Sequence, residues 1–183
     1  MNKNILLITG SPRKYGNTDR MADAFEKGAN CAGHSVHRIN ARELNLRGCA
    51  DCTACFQNGE NSACSIEPDF NEIVPYFLSC DTIVFCTPLY WYSFPAQLKA
   101  VIDKIYAFVV SKRTSNIKNS YLFVCGECSE TRYFEGVIRS YELLAEDRKW
   151  NDLGHYIAHG VVAPGDIDES IHIEEIEKIG RQL

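Results

Sequence analysis

The stretch Ile5-Leu6-Leu7-Ile8-Thr9-Gly10-Ser11-Pro12-Arg13-Lys14-Tyr15-Gly16-Asn17-Thr18 decides the fold. An apolar run of four ends in a turn bounded by two glycines, and the turn leads directly into a helical pattern. A phosphate dianion needs several convergent N–H and O–H donors, and a helix N-terminus supplies them together with a favourable dipole. Gly10 and Gly16 permit the tight backbone path. Ser11, Asn17 and Thr18 add side-chain donors, and Arg13 can add a charge-assisted fork. The nucleoside-triphosphate loop ends in Gly-Lys-Ser/Thr. Here Asn17 stands at the lysine position and the glycines lie one residue further apart. The dinucleotide pattern Gly-x-Gly-x-x-Gly is also absent. One terminal monophosphate, held without metal, fits this loop better than either. An ordinary polar strand-to-helix turn is the plain alternative, but it has no need of strand, paired glycines, hydroxyls and helix start in that order.

Outward from this loop, apolar runs alternate with helical patterns, the signature of a parallel α/β sheet. Strands are expected at about 3–9, 35–39, 82–87, 120–125 and 155–162. The first helix starts near Asn17 or Thr18, either of which can cap it, and stops before Gly33. Met21, Ala22, Phe25 and Ala29 form its inner face. A helix at about 69–78 leads into strand three. Pro95 suits the first turn of the next helix, where Leu98, Val101, Ile102, Ile105 and Val109 recur at inward spacing. A further helix from about Thr131 turns Phe134, Val137, Ile138, Tyr141 and Leu144 inward, and a last one carries Ile173, Ile176, Ile179 and Leu183. Five strands with crossover helices suit a flavodoxin-like three-layer sandwich of order 2-1-3-4-5, with residues 1–183 as one domain. In that order strands one and three flank the switch point beyond which ligands bind. Strand three ends in Thr87-Pro88-Leu89-Tyr90-Trp91-Tyr92-Ser93-Phe94-Pro95. A loop ready for phosphate and a loop ready for a flat aromatic ring therefore stand side by side. Backbone N–H groups of the second can reach the ring's edge, with Tyr90 or Trp91 packed near it. Some of these aromatics are expected to cap the core or an oligomer interface, Phe94 first among them.

On these residues the chain resembles the NAD(P)H-dependent FMN reductase branch of the flavodoxin-like superfamily. The resemblance rests on Gly-Ser-Pro-Arg-x-x-Gly-Asn-Thr at 10–18, Thr-Pro-Leu-Tyr-Trp-Tyr at 87–92 and Ala-Gln-Leu-Lys-Ala-Val-Ile-Asp-Lys at 96–104. It implies FMN held by Ser11, Arg13, Gly16, Asn17, Thr18, Pro88, Leu89, Tyr90 and Trp91, with Gly126 and Glu127 near the pyrimidine edge of the flavin. NAD(P)H is the implied co-substrate, and no side chain is assigned as catalytic because the flavin carries the chemistry. A homodimer or homotetramer is implied by analogy with related proteins.

Nine cysteines are many for a chain of 183 residues. The N-terminus leads straight into a strand rather than an export signal, so a disulfide framework is a poor explanation and the cytoplasm is the expected compartment. Cys49, Cys52, Cys55 and Cys64 crowd an irregular segment at about 40–68. Their spacing resembles the compact motif of the iron-sulfur flavoprotein family, a sister branch of the fold, and implies them as ligands of a [4Fe–4S] cluster. The last gap is longer than in that family. A closed zinc site and reduced, packed thiols remain alternatives. The segment is poor in large apolar residues and is expected to bury little. Cys125 and Cys128 form a second Cys-x-x-Cys, whose first member is expected to be buried and whose second to lie near the flavin. Cys31, Cys80 and Cys86 read as small core residues. His155 and His159 share one strand face and read as structural groups.

A net charge of −5 argues against nucleic acid as a partner, and no apolar run is long enough to span a bilayer. The expected activity is transfer of electrons from NAD(P)H through FMN to a quinone, free flavin or similar acceptor. An iron-sulfur flavoprotein that carries electrons to redox proteins, and a non-catalytic FMN-binding sensor or scaffold, are the competing readings.

Overall fold

A computed structural model describes residues 2–57, 59 and 62–183. Among them, β1 (Asn4–Thr9), β2 (Ser35–Asn40), β3 (Thr82–Pro88), β4 (Asn119–Gly126) and β5 (Asn151–His159) form one parallel sheet in the order β2-β1-β3-β4-β5. This is the expected flavodoxin-like arrangement. All five strands end on one edge, so their following loops meet there. Helices α1 (Asn17–Cys31) and α7 (Ile171–Gln182) cover one face, and α2 to α6 the other. Period-two alternation explains the division. Ile5 and Leu7 of β1 turn toward α1, whereas Leu6 and Ile8 turn toward the opposite layer, and all four are fully buried.

Helix α1 buries Met21, Ala22, Phe25 and Ala29 as its spacing predicts. Neither Asn17 nor Thr18 caps it. Gly16 is the N-cap, and no side chain bonds the helix end, which leaves the N-terminal amides free for a ligand. The helix expected at 69–78 is two short ones, α2 (Pro68–Asn71) and α3 (Val74–Ser79). Pro75 lacks the N–H that would continue the helical ladder, so the helix restarts around it. Pro95 likewise precedes α4 (Ala96–Lys104) as its N-cap rather than entering the first turn. Helix α4 breaks at Ile105 before α5 (Tyr106–Val110), and the break resets the helical phase. Val109, expected inward, is 43% exposed, and Ala107 and Phe108 are buried in its place. The 3-10 turn at Thr131–Phe134 leads into α6 (Glu135–Arg148), which ends on Lys149 in the left-handed region at φ 58°. β5 therefore begins at Asn151, four residues before the expected start, and ends before Gly160 at φ 73°.

Cys80 and Cys86 are buried as expected, whereas Cys31, the last residue of α1, faces solvent. The cysteine-rich segment also buries more than its composition suggested. Phe56 is 9% exposed and meets Phe108 edge-on at 5.5 Å, and Ala63 is fully buried. Asn71 holds Cys64 at both backbone groups, at 2.8 and 3.0 Å.

Candidate functional site

At the carboxyl edge of the sheet, the loops after β1, β3, β4 and β5 enclose a cleft of about 580 Å³. That volume lies within the roughly 300–1,000 Å³ usual for cofactor and small-molecule sites. Ser11, Arg13, Gly16, Asn17 and Thr18 line one end, Pro88, Leu89, Tyr90 and Trp91 the middle, and Gly126 and Glu127 the far side. Every residue singled out in the two loops and at the end of β4 thus faces one space. Close packing makes this possible. The Gly10 N–H donates to the Cys86 carbonyl at 2.8 Å, and a Cβ on Gly10 would stand 2.8 Å from Leu98 and 2.9 Å from Thr87 Oγ1. Only glycine fits between the first strand and the helix after the third.

The donors of the first loop divide their work. Ser11 Oγ accepts the Arg13 N–H at 3.1 Å and so folds the turn on itself. Arg13 is exposed and lines the cleft. The Asn17 side chain is engaged elsewhere: its amide donates to the Ala163 carbonyl at 2.9 Å and its carbonyl accepts the Gly165 N–H at 3.0 Å. What Asn17 offers the cleft is its backbone at the helix start. The Thr18 hydroxyl lies 3.5 Å from Cys125 Sγ, while the Cys86 thiol donates to the Thr18 carbonyl at 3.3 Å. Burial pushes the Cys125 thiol up to about 11 and raises that of Cys86. Both stay protonated at neutral pH as packing and hydrogen-bonding groups.

The aromatic loop is a two-residue turn. Tyr90 and Ser93 exchange N–H to carbonyl bonds at 3.0 Å in both directions, and Trp91 and Tyr92 both have positive φ, 45° and 63°. Paired positive φ marks a type I′ turn, which ordinarily takes Asn and Gly. With the Leu89 N–H donating to the Cys125 carbonyl at 2.7 Å, Trp91 and Tyr92 carry the two amides of the turn itself that make no bond within it. Bulky left-handed residues cost about 1–2 kcal/mol each, so the surroundings must hold them. The Tyr92 ring stacks on Tyr133 at 6.0 Å, and a Cβ on Gly136 would come within 2.7 Å of the Tyr92 carbonyl. Trp91 projects from the rim, 91% exposed, while Phe94 is buried against the core as expected. Trp91→Gly relieves the strain and removes the ring. Its expected result is unfolding stability within about 1 kcal/mol of wild type with FMN affinity or reduction rate lowered about tenfold, read by thermal unfolding and flavin titration on one preparation.

Tyr92, Cys125, Cys128, Val161, Val162 and Pro164 also line the cleft. Of these, only Cys128 is named by the sequence reading as lying near the flavin, and Cys125 is buried as expected. The strand-end rule applied to β5 points to residues 161–164, but a strand expected to run to 162 takes Val161 and Val162 for strand residues.

A second, small hollow gathers Cys49, Cys52, Cys55 and Cys64 with Lys104 and Tyr106. Cys49 and Cys52 are exposed and the other two half-buried. Burial first, then the neighbouring cysteines, push the Cys55 thiol up. Among the described residues, no three His, Cys, Asp or Glu side chains stand close enough together to hold a metal ion. The donor set suits a thiolate-bound centre. His159 packs on His172, at 5.4 Å between rings, and the His172 ring bonds the Tyr156 hydroxyl at 2.8 Å, so His159 belongs to a structural contact of β5 with α7.

Residues 3–126 match the sequence model of the NADPH-dependent FMN reductase family. The chain belongs to this family. It is 32% identical over 98 residues to an iron-sulfur flavoprotein of Archaeoglobus fulgidus, a match covering 54% of the chain and 43% of that protein. An iron-sulfur flavoprotein of Methanosarcina thermophila is 29% identical over 112 residues, covering 61% and 56%. The chain thus spans about half the length of these curated relatives. The NAD(P)H:quinone oxidoreductase from Methanothermobacter marburgensis has the same fold, with a TM-score of 0.77 over 100% of this chain and 96% of that one, at 20% identity. Among the described residues of this family member, no helix is long and apolar enough to cross a membrane.

Proposed function

We propose that the protein is an FMN-dependent oxidoreductase that takes electrons from NAD(P)H and delivers them as a pair to a quinone, free flavin or similar acceptor. The observation that carries this reading is the single cleft in which the glycine-bounded loop, the aromatic turn and the end of β4 converge. Bound FMN would supply the redox chemistry, two-electron transfer between the nicotinamide and the acceptor. The chain's part is to bind and orient. Uncapped amides at the start of α1 and the Arg13 guanidinium suit the phosphate. Trp91 and Tyr92 amides suit N5 and O4 of the ring, and Gly126 and Glu127 suit its pyrimidine edge. The exposed Trp91 and Tyr92 leave a face that a second copy would cover, in keeping with a homodimer or homotetramer.

The FMN-loaded protein should oxidise NADH or NADPH continuously with menadione or a similar quinone present. Absence of turnover with either nicotinamide, despite bound FMN, would favour the sensor or scaffold reading.

A second reading, a one-electron carrier with FMN and a [4Fe–4S] cluster, draws support from the four cysteines on one hollow and from the names of the iron-sulfur relatives. The eight-residue gap between Cys55 and Cys64, longer than the iron-sulfur motif it resembles, favours the reductase with FMN alone. Anaerobically purified protein should then contain far fewer than four iron and four sulfide per chain. About four of each, lost on replacing Cys49, Cys52, Cys55 or Cys64 by Ser, would instead establish the carrier.

A further inference from the structure

The glycine-bounded loop rests on a carboxylate. Asp19, the third residue of α1, is 4% exposed, and its Oδ2 accepts the Tyr15 N–H at 2.7 Å. Tyr15 sits at φ 59°, so this bond holds the loop's one left-handed non-glycine residue. The arrangement carries a cost. The positive end of the helix dipole serves an anion bound at the loop and a carboxylate in the first turn alike, and two anions so close oppose each other. A loop built only to receive a dianion would have no reason to bury an acid there.

Two arginines, one on the edge strand and one just after it, address that cost. Arg38 of β2 and Arg42 of the following 3-10 turn (Ala41–Glu43) each reach Asp19 Oδ1 at 3.0 Å. Arg38 divides its charge between Asp19 and Asp23. The Arg42 side chain is 11% exposed. Its same nitrogen donates to the Arg13 carbonyl at 3.4 Å, and its other contact, Glu43, lies at 3.9 Å on an exposed carboxylate. Arg42 therefore joins the buried acid to the backbone of Arg13. It does not line the cleft.

We infer that Arg42 is a positioning residue that sets the preference for a phosphorylated flavin by neutralising Asp19 beneath the loop, without touching the phosphate. The inference rests on the proposal that FMN occupies the cleft. The selectivity follows from charge: an Asp19 left with only Arg38, which also serves Asp23, repels the phosphate of FMN, while riboflavin carries no charge to repel.

The test is the ratio of riboflavin to FMN dissociation constants, measured by flavin fluorescence titration on the full chain. Arg42→Gln keeps a donor for the Arg13 carbonyl and removes the charge. It should weaken FMN about tenfold and leave riboflavin within twofold. Arg42→Lys should keep the wild-type ratio within about threefold. Asp19→Asn added to Arg42→Gln removes the under-compensated anion while keeping an acceptor for the Tyr15 N–H, and should recover most of the lost FMN affinity. An unchanged ratio in Arg42→Gln, an equal loss of both ligands, or no recovery in the double variant would each overturn the inference. Circular dichroism of each variant confirms folding, and the double variant stays informative if Arg42→Gln is unstable. Equal affinity of wild type for the two flavins would instead refute the phosphate assignment itself, which separates the two failures.

Discussion

Wild-type protein should bind FMN at least about a hundredfold more tightly than riboflavin. The two ligands differ only in the terminal phosphate, so the ratio isolates the loop at residues 10–18. Without the phosphate, the amides at the start of α1, uncapped by any side chain, and the Arg13 guanidinium lose their anion. Hydrogen bonds to charged groups contribute about 1.5–3 kcal/mol each, and about 1.4 kcal/mol is a tenfold change in affinity. Two such bonds suffice for the expected ratio. Arg13→Ala removes one of them, so FMN should weaken by about ten- to a hundredfold while riboflavin is unaffected. Isothermal titration of apoprotein with both flavins reads all four constants. Equal affinity in wild type would mean that the loop is a strand-to-helix turn and nothing more.

Gly28→Ala should destabilise the apoprotein by about 3 kcal/mol, although Ala is the better helix former by about 1 kcal/mol. The contact it disturbs is backbone against backbone. A Cβ on Gly28 would lie 2.0 Å from the Glu177 carbonyl oxygen, and one on Gly180 would lie 2.4 Å from that of Phe25. No side chain can rotate away, so α7 must lift from α1. The lift strips cover from Phe25 and Ile176, both fully buried. For a chain of this size, about 3 kcal/mol corresponds to a fall in melting temperature of roughly 6–12 °C. Calorimetry of apoprotein reads it directly. A melting temperature at or above wild type would show that the two helices are less closely seated than their glycines indicate.

Much of this molecule is legible in short windows of sequence. Period-two burial in the strands and the inner face of α1 depend on side chains a few residues apart. The glycine-bounded loop declares itself because a tight turn before a helix needs glycine at set places. Together with the rules for parallel sheets, those local signals placed the expected site residues on one edge. Failures began where the next residue's direction depended on a distant neighbour. The break at Ile105 exchanged Val109 for Phe108, which packs on Phe56 and Phe77, and the left-handed Lys149 moved the start of β5. Asn17 carries the residue type of a phosphate donor, yet its side chain goes to a carbonyl 146 residues away. Asp19 reads as an ordinary first-turn acid until the order of the strands brings Arg38 and Arg42 against it. The sequence alone determined the five strands, the sheet order and the two loops that face the cleft, because propensity, periodicity and glycine geometry act over a few residues. Tertiary structure decided which polar groups remain free for a ligand, because hydrogen bonds and ion pairs act over a few ångströms and only the folded chain brings those partners within reach.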